Sequence, residues 1–169
     1  RHVLKNTTSG SGNTGMGVNA LDANTTGSNN VGLSVDALGA NTTGDQNIGI
    51  GAFSLDANTT ANNNIACGYA ALSANTTGTQ NVGIGSAALF NNTTADGNTA
   101  IGYESLKTNT TGAENVAVGY GALDANTTAS GHVAIGYDAL GLNTTGTTST
   151  AVGNSSMQQN TTGNDNTAI

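Results

Sequence analysis

The 169-residue sequence contains no proline and no tryptophan, and its basic residues are Arg1, Lys5 and Lys107 alone. Each absence excludes something. Without proline, every backbone N–H is free to donate, as an unbroken ladder requires. Charged residues make up 8% of the chain, whereas polar disordered chains are usually rich in charge and proline. A net charge of −7 with three basic residues excludes the basic footprint that nucleic acid demands and the attraction to an anionic membrane surface. The lone cysteine, Cys67, excludes an intrachain disulfide. No apolar run approaches the roughly 20 residues of a helical membrane span, so no membrane insertion by this segment is expected. Large apolar side chains are few, and Ala and Gly (25 glycines) supply much of the small-residue content, so any core is thin.

What is present is a repeat. Asn-Thr-Thr begins at Asn6, Asn24, Asn41, Asn58, Asn75, Asn92, Asn109, Asn126, Asn143 and Asn160. From Asn24 onward the spacing is 17 residues, and the first interval is 18. A fixed period of this size marks a solenoid, in which stability comes from stacking each unit on the last. The expected fold is all-β, a parallel β-solenoid of about ten coils with residues 1–169 as a single array. The chain starts and stops inside a repeat, and it is expected to be a fragment of a longer one.

With the triplet's asparagine as offset 0, the coil reads N-T-T-G-x-x-N-x-A-I-G-Y-x-A-L-x-A. Offset 6 is Asn in most coils, with His132 and Ser149 as exceptions. Offset 9 carries an apolar column that includes Ile50, Ile84, Ile101 and Ile135. Offset 14 carries another, with Leu55, Leu72, Leu89, Leu106, Leu123 and Leu140. These two columns are expected to form the core, with Cys67 buried in the first. Asn115-Val116-Ala117-Val118-Gly119 shows the period-2 pattern of a strand. A second strand is expected through offsets 13 to 16, with a single helical turn as the alternative. Gly at offset 3 is expected to supply positive φ in a turn. At roughly 4.8 Å per coil, ten coils make a rod about 45–50 Å long.

Stacking makes two further demands. Like charges at equal offset in neighbouring coils would repel, and no acid stands at the offset of an acid one coil away. Lys107 shares offset 15 with Asp124 of the next coil, a favourable pairing. The asparagines Asn24, Asn41, Asn58, Asn75, Asn92, Asn109, Asn126 and Asn143, together with the offset-6 column, are expected to form side-chain amide ladders.

Units such as Asn98-Thr99-Ala100-Ile101-Gly102-Tyr103 and Asn115-Val116-Ala117-Val118-Gly119-Tyr120 resemble the Asn-x-Ala-Ile-Gly repeats of trimeric autotransporter adhesin heads. They are also similar to the Ala-Ile-Gly-Tyr…Asn-Thr-Thr-Gly arrays of phage tail fibres. The resemblance implies a left-handed parallel β-roll in which three chains share an axis, although the adhesin repeat is a few residues shorter than 17. It also implies an extracellular location on a cell-surface appendage or virion tail fibre, with a host-surface receptor or glycan as partner. A slender core independently suggests self-association into a homotrimer or filament, through a surface formed by the Ala and Gly at offsets 8 and 10.

Other readings of the same residues compete. Asn-Thr-Thr is a formal N-glycosylation acceptor, but turn and ladder geometry explain it as well. The Thr rows suggest an ice-binding solenoid, yet adjacent strand residues point to opposite faces, so Thr25 and Thr26 do not share one. Tyr103, Tyr120 and Tyr137 fall at offset 11 of consecutive coils and could contact glycan or simply stack on one another. His2 and His132 have no partners at metal-ligand spacing, and no nucleophile–base–acid set occurs. The expectation is therefore a non-enzymatic structural fibre or adhesin segment without metal or cofactor.

Overall fold

A computed structural model describes residues 2–169. Ten short strands form one sheet: β1 (Thr14–Met16), β2 (Val31–Leu33), β3 (Ile48–Ile50), β4 (Ile65–Cys67), β5 (Val82–Ile84), β6 (Thr99–Ile101), β7 (Val116–Val118), β8 (Val133–Ile135), β9 (Thr150–Val152) and β10 (Thr167–Ala168). They pair in parallel in strict chain order, and each residue faces the residue at the same offset in the next coil. The fold is a parallel β-solenoid. Leu72 and Leu89 lie in one buried column.

Backbone donors find acceptors in neighbouring coils around much of the circumference. Thr99 N–H donates to Asn115 O at 2.8 Å, Leu106 N–H to Ala122 O at 2.9 Å, and Thr110 N–H to Thr127 O at 2.8 Å. A proline at any of these positions would delete one rung.

The segment leading into each triplet differs from expectation. Offsets 13 to 16 form no second strand and no helical turn. They form a tight turn in which offsets 12 and 14 are left-handed, as at Glu104 (φ 55°) and Leu106 (φ 52°). The reason is geometric. In an extended strand consecutive side chains alternate, whereas two left-handed residues turn the chain so that offsets 13 and 14 both point inward. Ala88 and Leu89 are both fully buried. A left-handed leucine costs about 1–2 kcal/mol, and burying its side chain returns about 1.5–3 kcal/mol.

Glycine at offset 3 has no positive φ, and Ala61, Ala95 and Ala129 replace it in three coils. Its carbonyl matters more, as the amide ladders below make clear. Positive φ belongs instead to offsets 5, 10, 12 and 14. At offset 10, Gly102 (φ 137°) ends its strand, and a Cβ there would lie 2.6 Å from the Gly119 carbonyl carbon. The close approach of the next coil disfavours a side chain, and Ser34 is the one exception at this offset.

The expected core also needs correction. The middle residue of each strand, Gly or Ala at offset 8, points inward, so offsets 7 and 9 point outward. The leucine column packs directly on the inner row: an added Cβ on Gly83 would lie 3.3 Å from Leu72 Cγ. Only Gly or Ala fits there. The core is Leu plus Ala, and the isoleucines Ile50, Ile84, Ile101 and Ile135 stand outside it.

Candidate interaction surface

The outward sheet face is built by this inversion. At offset 7 it carries Val31, Ile48, Ile65, Val82, Val116 and Val133, with Thr14, Thr99 and Thr150 in the same column. At offset 9 it carries Met16, Leu33, Ile50, Cys67, Ile84, Ile101, Val118, Ile135 and Val152. No charged residue interrupts either column. Ile84 is 38% and Ile135 40% exposed. Cys67 is half-buried in this face rather than enclosed. The expected association surface of Ala and Gly does not exist as such, because the offset-8 residues are inside.

Offsets 7 and 9 share one face of the strand, as the alternation implies, but that face points outward and not into the core. The signal was present: a strand whose middle residue is always Gly or Ala has its small side toward something close. In a one-sheet coil that is the leucine wall.

An aromatic border follows. Tyr103, Tyr120 and Tyr137 stack with ring centroids 5.2 and 5.1 Å apart and planes within 18° and 9°. Phe53 meets Tyr69 edge-on at 5.9 Å. Each face of the Tyr120 ring is therefore given to a neighbouring ring, which leaves that residue its edge and hydroxyl for solvent. Beside it, Lys107 Nζ lies 2.7 Å from Glu104 of its own coil, so the ion pair is intracoil rather than with Asp124. The Lys107 hydrogen bond holds the Glu104 carboxyl below its ordinary range, and Glu104 in turn raises the Lys107 ammonium and the Tyr103 phenol. Burial, with the charge of Asp138, raises Asp124.

The opposite wall is polar and inward. Asn24, Asn41, Asn58, Asn75, Asn92, Asn109, Asn126 and Asn143 are fully buried. Each from Asn41 to Asn143 donates from Nδ2 to Oδ1 of the asparagine one coil earlier, as Asn58 does to Asn41 at 2.8 Å. The offset-6 asparagines form a second ladder: Asn98 N–H donates to Asn81 Oδ1 at 2.9 Å, and Asn98 Nδ2 to Gly112 O at 2.9 Å. The offset-3 carbonyl is where the ladders meet, since Gly44 O accepts from both Asn41 Nδ2 (3.1 Å) and Asn30 Nδ2 (2.7 Å). A glycan on any of the fully buried triplet asparagines is incompatible with this packing.

The threonines divide in the same way. From Thr25 to Thr144 the first of each pair is half-buried and donates its hydroxyl to the next coil, as Thr42 Oγ1 does to Thr59 O at 3.0 Å. The second, such as Thr43, is exposed. Among the described residues no pocket opens, no group of three metal-ligating side chains assembles, and no helix is long and apolar enough to cross a membrane. No family model matches the chain, and no curated protein or solved structure matches it.

Proposed function

We propose that this chain is a stiff structural segment of a surface fibre or adhesin, held to like chains through the outward sheet face. One observation carries the reading. Two uninterrupted columns of apolar and threonine side chains run along the rod uncovered, and soluble monomers rarely leave an apolar patch beyond a few hundred Å² open. The strip is about 43 Å by 13 Å, on the order of 550 Å² per copy from strand spacing. That approaches the roughly 800 Å² per partner of a stable interface. In a homotrimer about a common axis each copy divides its strip between two neighbours, and the tyrosine border adds to the area that each interface covers. The motifs shared with autotransporter heads and tail fibres support an extracellular appendage or virion fibre as its setting. The role is mechanical: a ladder-bonded spacer that displays a receptor-binding region or offers repeated weak contacts along its side.

The test is the mass in solution, by sedimentation equilibrium, of the wild type and of Ile84→Glu/Ile101→Glu. A trimer for the wild type and a folded monomer for the variant is expected. A wild type that is monomeric at all concentrations, with its β spectrum intact, removes the proposal.

A second reading, ice binding, has one feature in its favour, the exposed threonine repeated at offset 2 of every coil. From Thr25 to Thr144 the first threonine of each pair gives its hydroxyl to the backbone, so the file is single there. Thermal hysteresis of the purified array tests it, and none at high concentration dismisses it.

A further inference from the structure

The offset-6 ladder contains one titratable side chain. His132 takes the place of asparagine and is fully buried. Its own N–H donates to Asn115 Oδ1 at 3.0 Å, as an asparagine's would. Its ring then does the work of a carboxamide with two nitrogens. Ser149 N–H lies 3.1 Å from Nδ1, and because a backbone N–H only donates, Nδ1 must be the bare, accepting nitrogen. Gly146 O lies 2.6 Å from Nε2, and because a carbonyl only accepts, Nε2 must carry the proton. Asn143 Nδ2, 3.2 Å from Nε2, donates to the same carbonyl at 2.9 Å. The neutral imidazole thus reproduces the donor and acceptor of an asparagine amide.

An asparagine keeps its acceptor at every pH, whereas an imidazole loses it on protonation. An imidazolium would place N–H against the Ser149 N–H, in a fully buried site. We propose that His132 makes the junction between the coil beginning at Asn126 and the coil beginning at Asn143 an acid-labile seam, at which the rod opens while the remaining coils stay paired.

The surroundings offer the imidazolium nothing. The preceding coil presents Asn115, and the following coil presents Ser149, Gly146 and Asn143, all neutral. Glu114, beside Asn115, is exposed on the outside. Burial accordingly holds the imidazole below its ordinary value. The folded chain then binds fewer protons than the opened one from about pH 6.5 downward, so stability is lost as the pH falls through that window. Opening stays local because each coil of a solenoid rests only on its neighbours. Ser149, the other departure from asparagine in this column, lies in the next coil and passes the ladder on through a hydroxyl, to Asn166 N–H at 3.2 Å. The column is thus altered at two adjacent rungs.

Amide hydrogen exchange at pH 7 and pH 5, corrected for intrinsic rates, tests this on the wild type and on His132→Asn. The wild type is expected to lose protection over residues 147–152 by about tenfold per pH unit below 6.5, relative to β5 and β6. His132→Asn should show no such selective loss. Uniform protection in the wild type at pH 5, or an equal loss in the variant, overturns the proposal. Should the variant misfold, the wild-type ¹⁵N imidazole signals decide: a protonated ring while the Ser149 amide remains protected overturns it as well.

Discussion

The two walls of the rod use the same stacking to opposite effect. On the triplet side, inward polar groups bond coil to coil, and the outward ones are the invariant second threonine and the varied residues at offsets 4 and 5. On the sheet side, the inward groups are Ala, Gly and Leu, and the outward ones are β-branched and apolar. The polar wall is strict in residue type because each asparagine atom has a directional partner: Oδ1 must accept while Nδ2 must donate. The apolar wall is strict mainly in volume. Directional bonding therefore governs identity on one side, and space governs it on the other.

Substitutions separate these rules. Leu89→Ala should be the most damaging, at about 3–4 kcal/mol by chemical denaturation, since the turn that holds the side chain inward cannot collapse around the cavity. Leu89→Met should cost less than about 1.5 kcal/mol, as volume is kept; Met157 holds the same offset naturally. Asn98→Ala should cost about 2–3 kcal/mol, because Asn115 N–H, 3.0 Å from Asn98 Oδ1, loses its acceptor. Asn98→Leu should be no better despite its added apolar bulk. If Asn98→Leu rescued stability, the directional account of the polar wall would be wrong.

Smaller effects sharpen the contrast between inside and outside. Tyr120→Ala removes the middle ring of three and should cost about 0.5–1.5 kcal/mol in melting experiments. A loss confined to adhesion, with stability unchanged, would instead assign the tyrosines to ligand. Smallest is Asp124→Asn. The folded-state carboxyl is raised, so its protonated form is favoured in the fold and stability is lost as pH rises through that value. The variant should melt slightly higher than the wild type at pH 7, and the two should converge in acid, where Asp124 is protonated in both states. A variant less stable at pH 7 would contradict this sign.

Period, parallel stacking and the amide columns were legible because all three are statements about equal offsets, and an equal offset is visible without coordinates. Asn41 over Asn24 needs only the spacing of 17. Which way a side chain faces is a different kind of fact. Ile84 and Leu89 are both large, apolar and strictly recurrent, and nothing in their recurrence says that one is outside and the other inside.

By itself, then, the order of residues determined that this chain stacks on itself and which positions coincide, because periodic chemistry can satisfy its backbone only by periodic neighbours. The tertiary structure decided the facing, at which the sequence hints only through the Gly or Ala at the middle of each strand. Two left-handed residues per turn swing Leu and its preceding Ala inward together, the Leu fills the space beneath the strand, and the only strand residue small enough to face it is the Gly or Ala at the centre. Isoleucine is left outside, on the face proposed to meet a like chain.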